Sequence, residues 1–173
     1  MGRNGAKHEL PSRQELRVWR DYVETSEALR RLLGARLQQQ SGISSADYSV
    51  LLALSEAGER AMRSSELAAR IGWDRSRLSH HLARMEKREL IRRERCADDS
   101  RGSTVVLTDA GLEQFRRGSV PHLRDVHELF VDALAPQQLL ALGDAVASLR
   151  VHLEQQCGEL DPRPPGARGA AGR

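Results

Sequence analysis

Apolar residues recur at helical spacing through most of the chain. Between Pro11 and Gln40 they fall at Leu16, Trp19, Tyr22, Val23, Leu29, Leu33 and Leu37, steps of three and four that predict one long amphipathic helix. "SGISS" breaks the pattern, and "SADYSVLLALSEAG" predicts a second helix closed at Gly58. "RAMR" is long enough only for a bridging strand. "SSELAARIG" predicts a two-turn helix, with Ser64 or Ser65 as its cap and Gly72 in the left-handed position after it. A further helix opens at Asp74 and runs to near Leu90, with Leu78, Leu82 and Met85 as its buried stripe.

Beyond that helix the period changes from helical to strand-like. "IRRER" and "TVVLT" flank the polar loop "CADDSRGS" and predict a β-hairpin. Residues 109–134 are helical again, with Pro121 expected to kink or split the run. After Pro136 come Leu139, Leu142, Val146, Leu149 and Leu153, a short heptad seam. "GELDPRPPGARGAAGR" has no period and predicts a disordered tail from residue 158. The fold class is therefore mainly α with a small β-hairpin wing.

Charge sharpens this outline. The chain of 173 residues carries a net charge of +3. From Arg63 to Arg101 there are eleven Lys or Arg against seven Asp or Glu, so this stretch alone holds an excess of four. Localised cationic excess is the usual footprint of a polyanionic partner. At about 100° per residue, Ser76, Arg77, His80, Ala83, Arg84 and Lys87 fall opposite the Leu78–Leu82–Met85 stripe. Arginine can bond guanine O6 and N7 together, serine and histidine can meet base edges or phosphates, and alanine lets the backbone approach. The short turn "GWD" joins this helix to the one before it, the layout of a helix-turn-helix. The hairpin that follows has a basic first strand, with Arg93 and Arg95, and Arg101 at its tip. It would serve as a wing, Arg101 reaching a minor groove and Asp98 or Asp99 orienting it.

Other chemistry is thin. His80 and His81 diverge by about 100° and cannot chelate one ion from adjacent positions. No HExxH, GxSxG, Walker or GxGxxG motif occurs, so neither metal, cofactor nor catalysis is expected. Cys96 and Cys157 form no CxxC pair and read as reduced thiols, although Arg93 and Arg95 near Cys96 favour its thiolate. Aromatic residues make up only 3% of the chain, which favours duplex DNA over single strands, whose binders use stacking platforms. No apolar run approaches the ~20 residues of a membrane span. The first residues lack the apolar core of a signal peptide, so a cytoplasmic protein is expected.

The stretch "SSELAARIGWDRSRLSHHLARMEKRELIRRERCADDSRGSTVVLTDAG" resembles the winged helix-turn-helix of the MarR family of bacterial transcription regulators. The features that carry the likeness are the "ELA" helix, the leucine spacing of "RLSHHLARMEKREL", the "LIRRE" strand, the Asp-x-Arg pattern of "DDSRG", and "LTDAG". The likeness extends in layout over roughly residues 12–157. It implies a flexible N-terminus (1–10), one domain (11–157) and a tail (158–173). Within the domain, 44–108 would be the winged helix-turn-helix, and 11–40 and 109–157 the dimerisation helices. It implies a homodimer joined through Leu16, Trp19 and the 139–153 seam, a palindromic duplex operator, and a repressor role.

Carried over by position, Arg75, Ser76, Arg77, Ser79, His80 and Arg84 would meet the major groove. Arg93, Arg95 and Arg101 would act in the wing, with Asp99 orienting Arg101 and Ser64 and Ser65 facing phosphate at a helix start. The family also implies a small aromatic or phenolic effector, for which Trp19, Tyr22, Tyr48 and Trp73 are the candidate lining. The same rings would serve as ordinary core. Glu89 stands where the family more often has glycine, a choice expected to weaken the helix end slightly. The alternatives are a helical protein-interaction module with a basic face, and a metal- or redox-responsive regulator of the same fold.

Overall fold

Ser12 opens the first helix through a capping box: its hydroxyl accepts from Glu15 N–H, and the Glu15 carboxylate accepts from Ser12 N–H at 2.7 Å. The computed structural model describes residues 10–95 and 103–160, in backbone only for Arg95 and 157–160. The elements run α1 (Arg13–Ser41), α2 (Ser45–Ser55), β1 (Ala61–Arg63), α3 (Ser64–Ile71), α4 (Arg75–Lys87), β2 (Ile91–Arg95), β3 (Ser103–Leu107), α5 (Asp109–Val126) and α6 (Pro136–Leu160). This is the mainly helical fold with a small sheet that the periodicities predict.

Gly42 ends α1 in the left-handed region at φ 69°, and Ser44 with Asp47 repeats the capping box at the start of α2. The sheet is antiparallel in the order β1-β3-β2, so "RAMR" does form the bridging strand, across β3 from the hairpin partner. The chain divides after Leu129 into two units. The first holds α1 to α5 and the sheet; the second holds α6.

The core of the first unit is built from Leu37 of α1, Val50, Leu51 and Leu54 of α2, Leu67 of α3, Leu78, Leu82 and Met85 of α4, and Ile91, Val105 and Leu107 of the strands. The three apolar positions expected on α4 are thus all buried. The long stripe of α1 is covered only toward its end: Leu29 and Leu33 are half-buried, but Leu16, Trp19 and Tyr22 remain exposed. There α5 lies against α1, and Arg36 donates to Asp125 at 2.9 Å and to Glu128 at 3.0 Å.

Three expectations need correction. Neither Ser64 nor Ser65 caps α3. β1 runs directly into the helix, so Arg63 takes the cap position and both serines already lie within the first turn. Pro121 does not split its helix: it removes one backbone hydrogen bond, yet α5 continues to Val126, and a π-helical turn follows at His127–Val131. The backbone of α6 is helical to Leu160, slightly past the expected start of the tail. Residues 161–173 of that tail, and residues 1–9, lie outside the described residues.

Candidate nucleic-acid interface

The turn between α3 and α4 is built from residues that each answer a local need. Gly72 ends α3 at φ 68°, and Trp73 N–H turns back to the Ala68 carbonyl at 2.9 Å. Asp74 then caps α4, its carboxylate accepting from Arg77 N–H at 2.8 Å. With Leu78, Leu82 and Met85 buried, Arg75, Ser76, Arg77, Ser79, His80, Arg84 and Lys87 all stand exposed, and Ala83 is half-buried. The predicted outer face of α4 is therefore one solvent-facing surface, cationic and hydroxylated.

Two of its arginines, Arg77 and Arg84, are held by neighbouring rings. The Arg77 guanidinium carbon sits 4.3 Å from the centroid of the Trp73 ring, a cation–π contact. Trp73 in turn meets His81 edge-on, with ring centroids 5.2 Å apart. His81 is 6% exposed, and its Nδ1 lies 2.9 Å from Arg84 Nη2. Its Nε2 lies 3.1 Å from Asp47 Oδ1, close enough for charge pairing although not aligned as a hydrogen bond. Asp47 Oδ2 accepts from Arg88 at 2.8 Å and from Ser44 N–H at 3.0 Å, and Arg88 also donates to the Gly42 carbonyl. Burial alone would raise the Asp47 carboxyl, but the hydrogen bonds from Arg88 and Ser44 outweigh it and hold the group below the usual carboxylate range. Burial pushes His81 below its ordinary value, with Asp47 pulling the other way.

At the foot of the wing, the Glu86 carboxylate accepts from Arg93 N–H at 3.1 Å, from its Nε at 2.9 Å and from its Nη2 at 2.6 Å. These hydrogen bonds hold the Glu86 carboxyl below its usual value. α4 and β2 are thereby pinned together.

A family model described as MarR family matches residues 41–102, which contain this whole motif. The chain is 37% identical to AbsC, a MarR family transcriptional regulator from Streptomyces coelicolor. That match covers 85% of this chain and 99% of the AbsC crystal structure, with a TM-score of 0.77. The chain belongs to the MarR family.

A second structure, of the Streptomyces coelicolor MarR family regulator Sco3205 in complex with DNA, is also 37% identical. It covers 83% of this chain and 94% of that one, with a TM-score of 0.77. The uncharacterized HTH-type transcriptional regulator YdgJ of Bacillus subtilis is 25% identical over 124 residues, 72% of this chain and 74% of YdgJ. This protein is accordingly a MarR-type DNA-binding transcriptional regulator; its family and these relatives are regulators and not enzymes.

Within that MarR framework the sequence-derived residues fall into distinct groups. The α4 residues share one surface. Arg93 is turned to Glu86 and serves first as an anchor between α4 and β2, because the carboxylate takes up both its backbone and its guanidinium. Arg101 and Asp99, and the side chain of Arg95, lie outside the described residues, as does Cys96. The four aromatic residues proposed for one crevice fall into three separate clusters. Trp19 neighbours Tyr22 on α1, Tyr48 packs on Phe115 and His122, and Trp73 supports Arg77 and His81. Among the described residues, no group of three or more His, Cys, Asp or Glu could hold a metal ion, and no helix is long and apolar enough to cross a membrane.

Asp47, His81 and Glu86 were missed by sequence reasoning. For His81 the available signal was its position three residues before Arg84 on α4; Asp47 and Glu86 meet their partners only through the fold.

Proposed function

We propose that the protein acts as a homodimeric repressor of a palindromic operator in the cytoplasm. Arg75, Ser76, Arg77, Ser79, His80 and Arg84 read the major groove, and Arg95 and Arg101 in the wing approach the flanking minor groove with Asp99 orienting Arg101. Ser64 and Ser65, in the first turn of α3, face a phosphate. The observation that carries this reading is the exposed cationic face of α4, with Arg77 and Arg84 supported by Trp73 and the buried His81. Two such helices must meet successive major grooves, ~34–36 Å apart.

Dimerisation is supported by apolar surface left uncovered in the single chain. Leu16 is 47% exposed and Trp19 62%; on α6, Val146 is 51%, Leu149 44% and Leu153 52%. Leu139 and Leu142 continue that seam. Large exposed apolar patches of this kind mark interaction surfaces. A small aromatic or phenolic effector would bind beside Trp19 and Tyr22, near an open cleft of about 630 Å³ lined by Leu10, Pro11, Glu15, Leu16 and Trp19. Its binding would shift the dimer between geometries that fit and misfit the operator.

A gel-shift titration against DNA from upstream of the protein's own gene tests this reading. A discrete complex is expected, weakened by added salt and by Arg77→Ala. Failure to retard duplex DNA at low salt would overturn it.

A further inference from the structure

We infer that Trp73 and His81 form one positioning pair for two of the outward arginines of α4, the indole holding Arg77 and the imidazole Nδ1 holding Arg84. The inference rests on the reading of α4 as the helix that enters the groove. Arg77 stands four residues beyond Trp73 and Arg84 three beyond His81, and the two rings touch edge to face at 5.2 Å. One aromatic unit at the base of α4 therefore sets the direction of both side chains. A guanidinium already held loses less freedom when it binds. Arg84 gives up one of its five N–H groups to His81 and keeps the rest for a base edge.

The chemistry fixes the state of the imidazole. Arginine can only donate, so Nδ1 must be the acceptor and the ring proton must sit on Nε2, toward Asp47 at 3.1 Å. The charged groups facing His81 are Asp47 from α2, Arg84 from its own helix and Arg88 just past that helix's end. Trp73, from the preceding turn, adds no charge. A second ring proton would replace the acceptor with a cation beside the guanidinium and release Arg84. Asp47 backs the ring from the far side and is itself fixed by Ser44 and Arg88. The start of α2 thus supports the groove face of α4 through His81.

The test uses the full-length protein and the duplex that the wild type selects from a randomised pool. Base preference is measured separately from total affinity. His81→Leu should lower discrimination at the base pair read by Arg84 on the order of fivefold or more, the low end of one good base contact. His81→Asn keeps an acceptor near the Nδ1 position and should restore most of it. In the double variant His81→Leu with Arg84→Ala, the loss should equal that of Arg84→Ala alone, because the two act through one contact. Trp73→Leu should behave likewise with Arg77→Ala, and Trp73→Phe should retain most of the effect.

Wild-type discrimination at the base pair read by Arg84 should fall on acidification below the ordinary imidazole range, because burial depresses His81, and the His81→Asn protein should not follow. The two proteins differ only at residue 81, so the comparison isolates His81. If His81→Leu does not fold, His81→Asn and the pH profile decide. Selective wild-type binding with unchanged base preference in folded His81→Leu and Trp73→Leu would overturn the positioning role alone. So would effects that add to those of Arg77→Ala and Arg84→Ala. A wild type that selects no duplex would overturn the DNA reading beneath it as well.

Discussion

The hydroxyl of Thr108 donates to the carbonyl oxygen of Glu89 at 2.6 Å, tying the end of α4 to the start of α5. The same hydroxyl accepts from Gly111 N–H at 2.9 Å and caps α5, so one side chain serves two elements. Glu89 reaches this position at φ 58°, in the left-handed region where a side chain costs roughly 1–2 kcal/mol. Glu89→Gly should therefore stabilise the protein by up to about 1 kcal/mol, after the extra chain entropy of glycine is set against the relief. Thermal melting checks this; a lower melting temperature would count against strain at Glu89.

Gly111 offers the opposite case. A Cβ built there would lie 1.9 Å from the Leu90 carbonyl oxygen and 2.9 Å from Leu107 Cδ1. The backbone would have to move, at the junction that fixes α4 and the sheet. Gly111→Ala should cost about 3 kcal/mol or more, at or above the upper end for overpacking. Urea denaturation would show it as a lower midpoint with little change in slope.

One buried and one half-buried imidazole, His81 and His122, predict acid sensitivity near neutrality. Burial lowers His81, against the pull of Asp47, and lowers His122, against the pull of Asp125. A histidine depressed in the folded state binds fewer protons there than when unfolded. Its contribution is thus fully present above the ordinary value near 6.5 and is lost as pH falls below it. Melting temperature should decline from pH 7 to pH 5, before the carboxylates titrate. The His81→Asn protein should show a shallower decline; an unchanged slope in both His81→Asn and His122→Asn would contradict the assignment.

The uncovered apolar positions of α6 predict a concentration-dependent assembly. Leu149→Asp places a charge on a face that a second copy is proposed to cover, and desolvating an unpaired carboxylate is costly. Sedimentation should show a dimer for the wild type and a shift toward monomer for the variant. Equal sedimentation of the two would remove Leu149 from the interface.

Much of this architecture was legible because its signals are local. Asp74 as a cap, Gly72 in the left-handed region and the Leu78–Leu82–Met85 stripe each depend on neighbours within a turn. The cap of α3 was misread because serine preference says nothing about a strand entering the helix directly, which the pairing of Arg63 with Thr104 imposes. The groove face of α4 was legible from its period alone. The frame behind it was not: His81 meets Asp47 from another helix, and Arg93 is anchored to α4 because the Glu86 carboxylate takes up its guanidinium. Trp73 was a candidate for pocket lining or for ordinary core; it meets Arg77 and His81, four and eight residues further along the chain.

The most direct measurement is fluorescence anisotropy of the wild type and an Arg77→Ala/Arg84→Ala variant on the selected duplex, across a salt series. The account predicts two protomers per duplex and an affinity that falls with salt at a log–log slope of about −0.9 per neutralised phosphate. It predicts loss of sequence preference in the variant, with non-specific binding retained. Binding that ignores salt, or a double variant that discriminates sequences as well as the wild type, would contradict it.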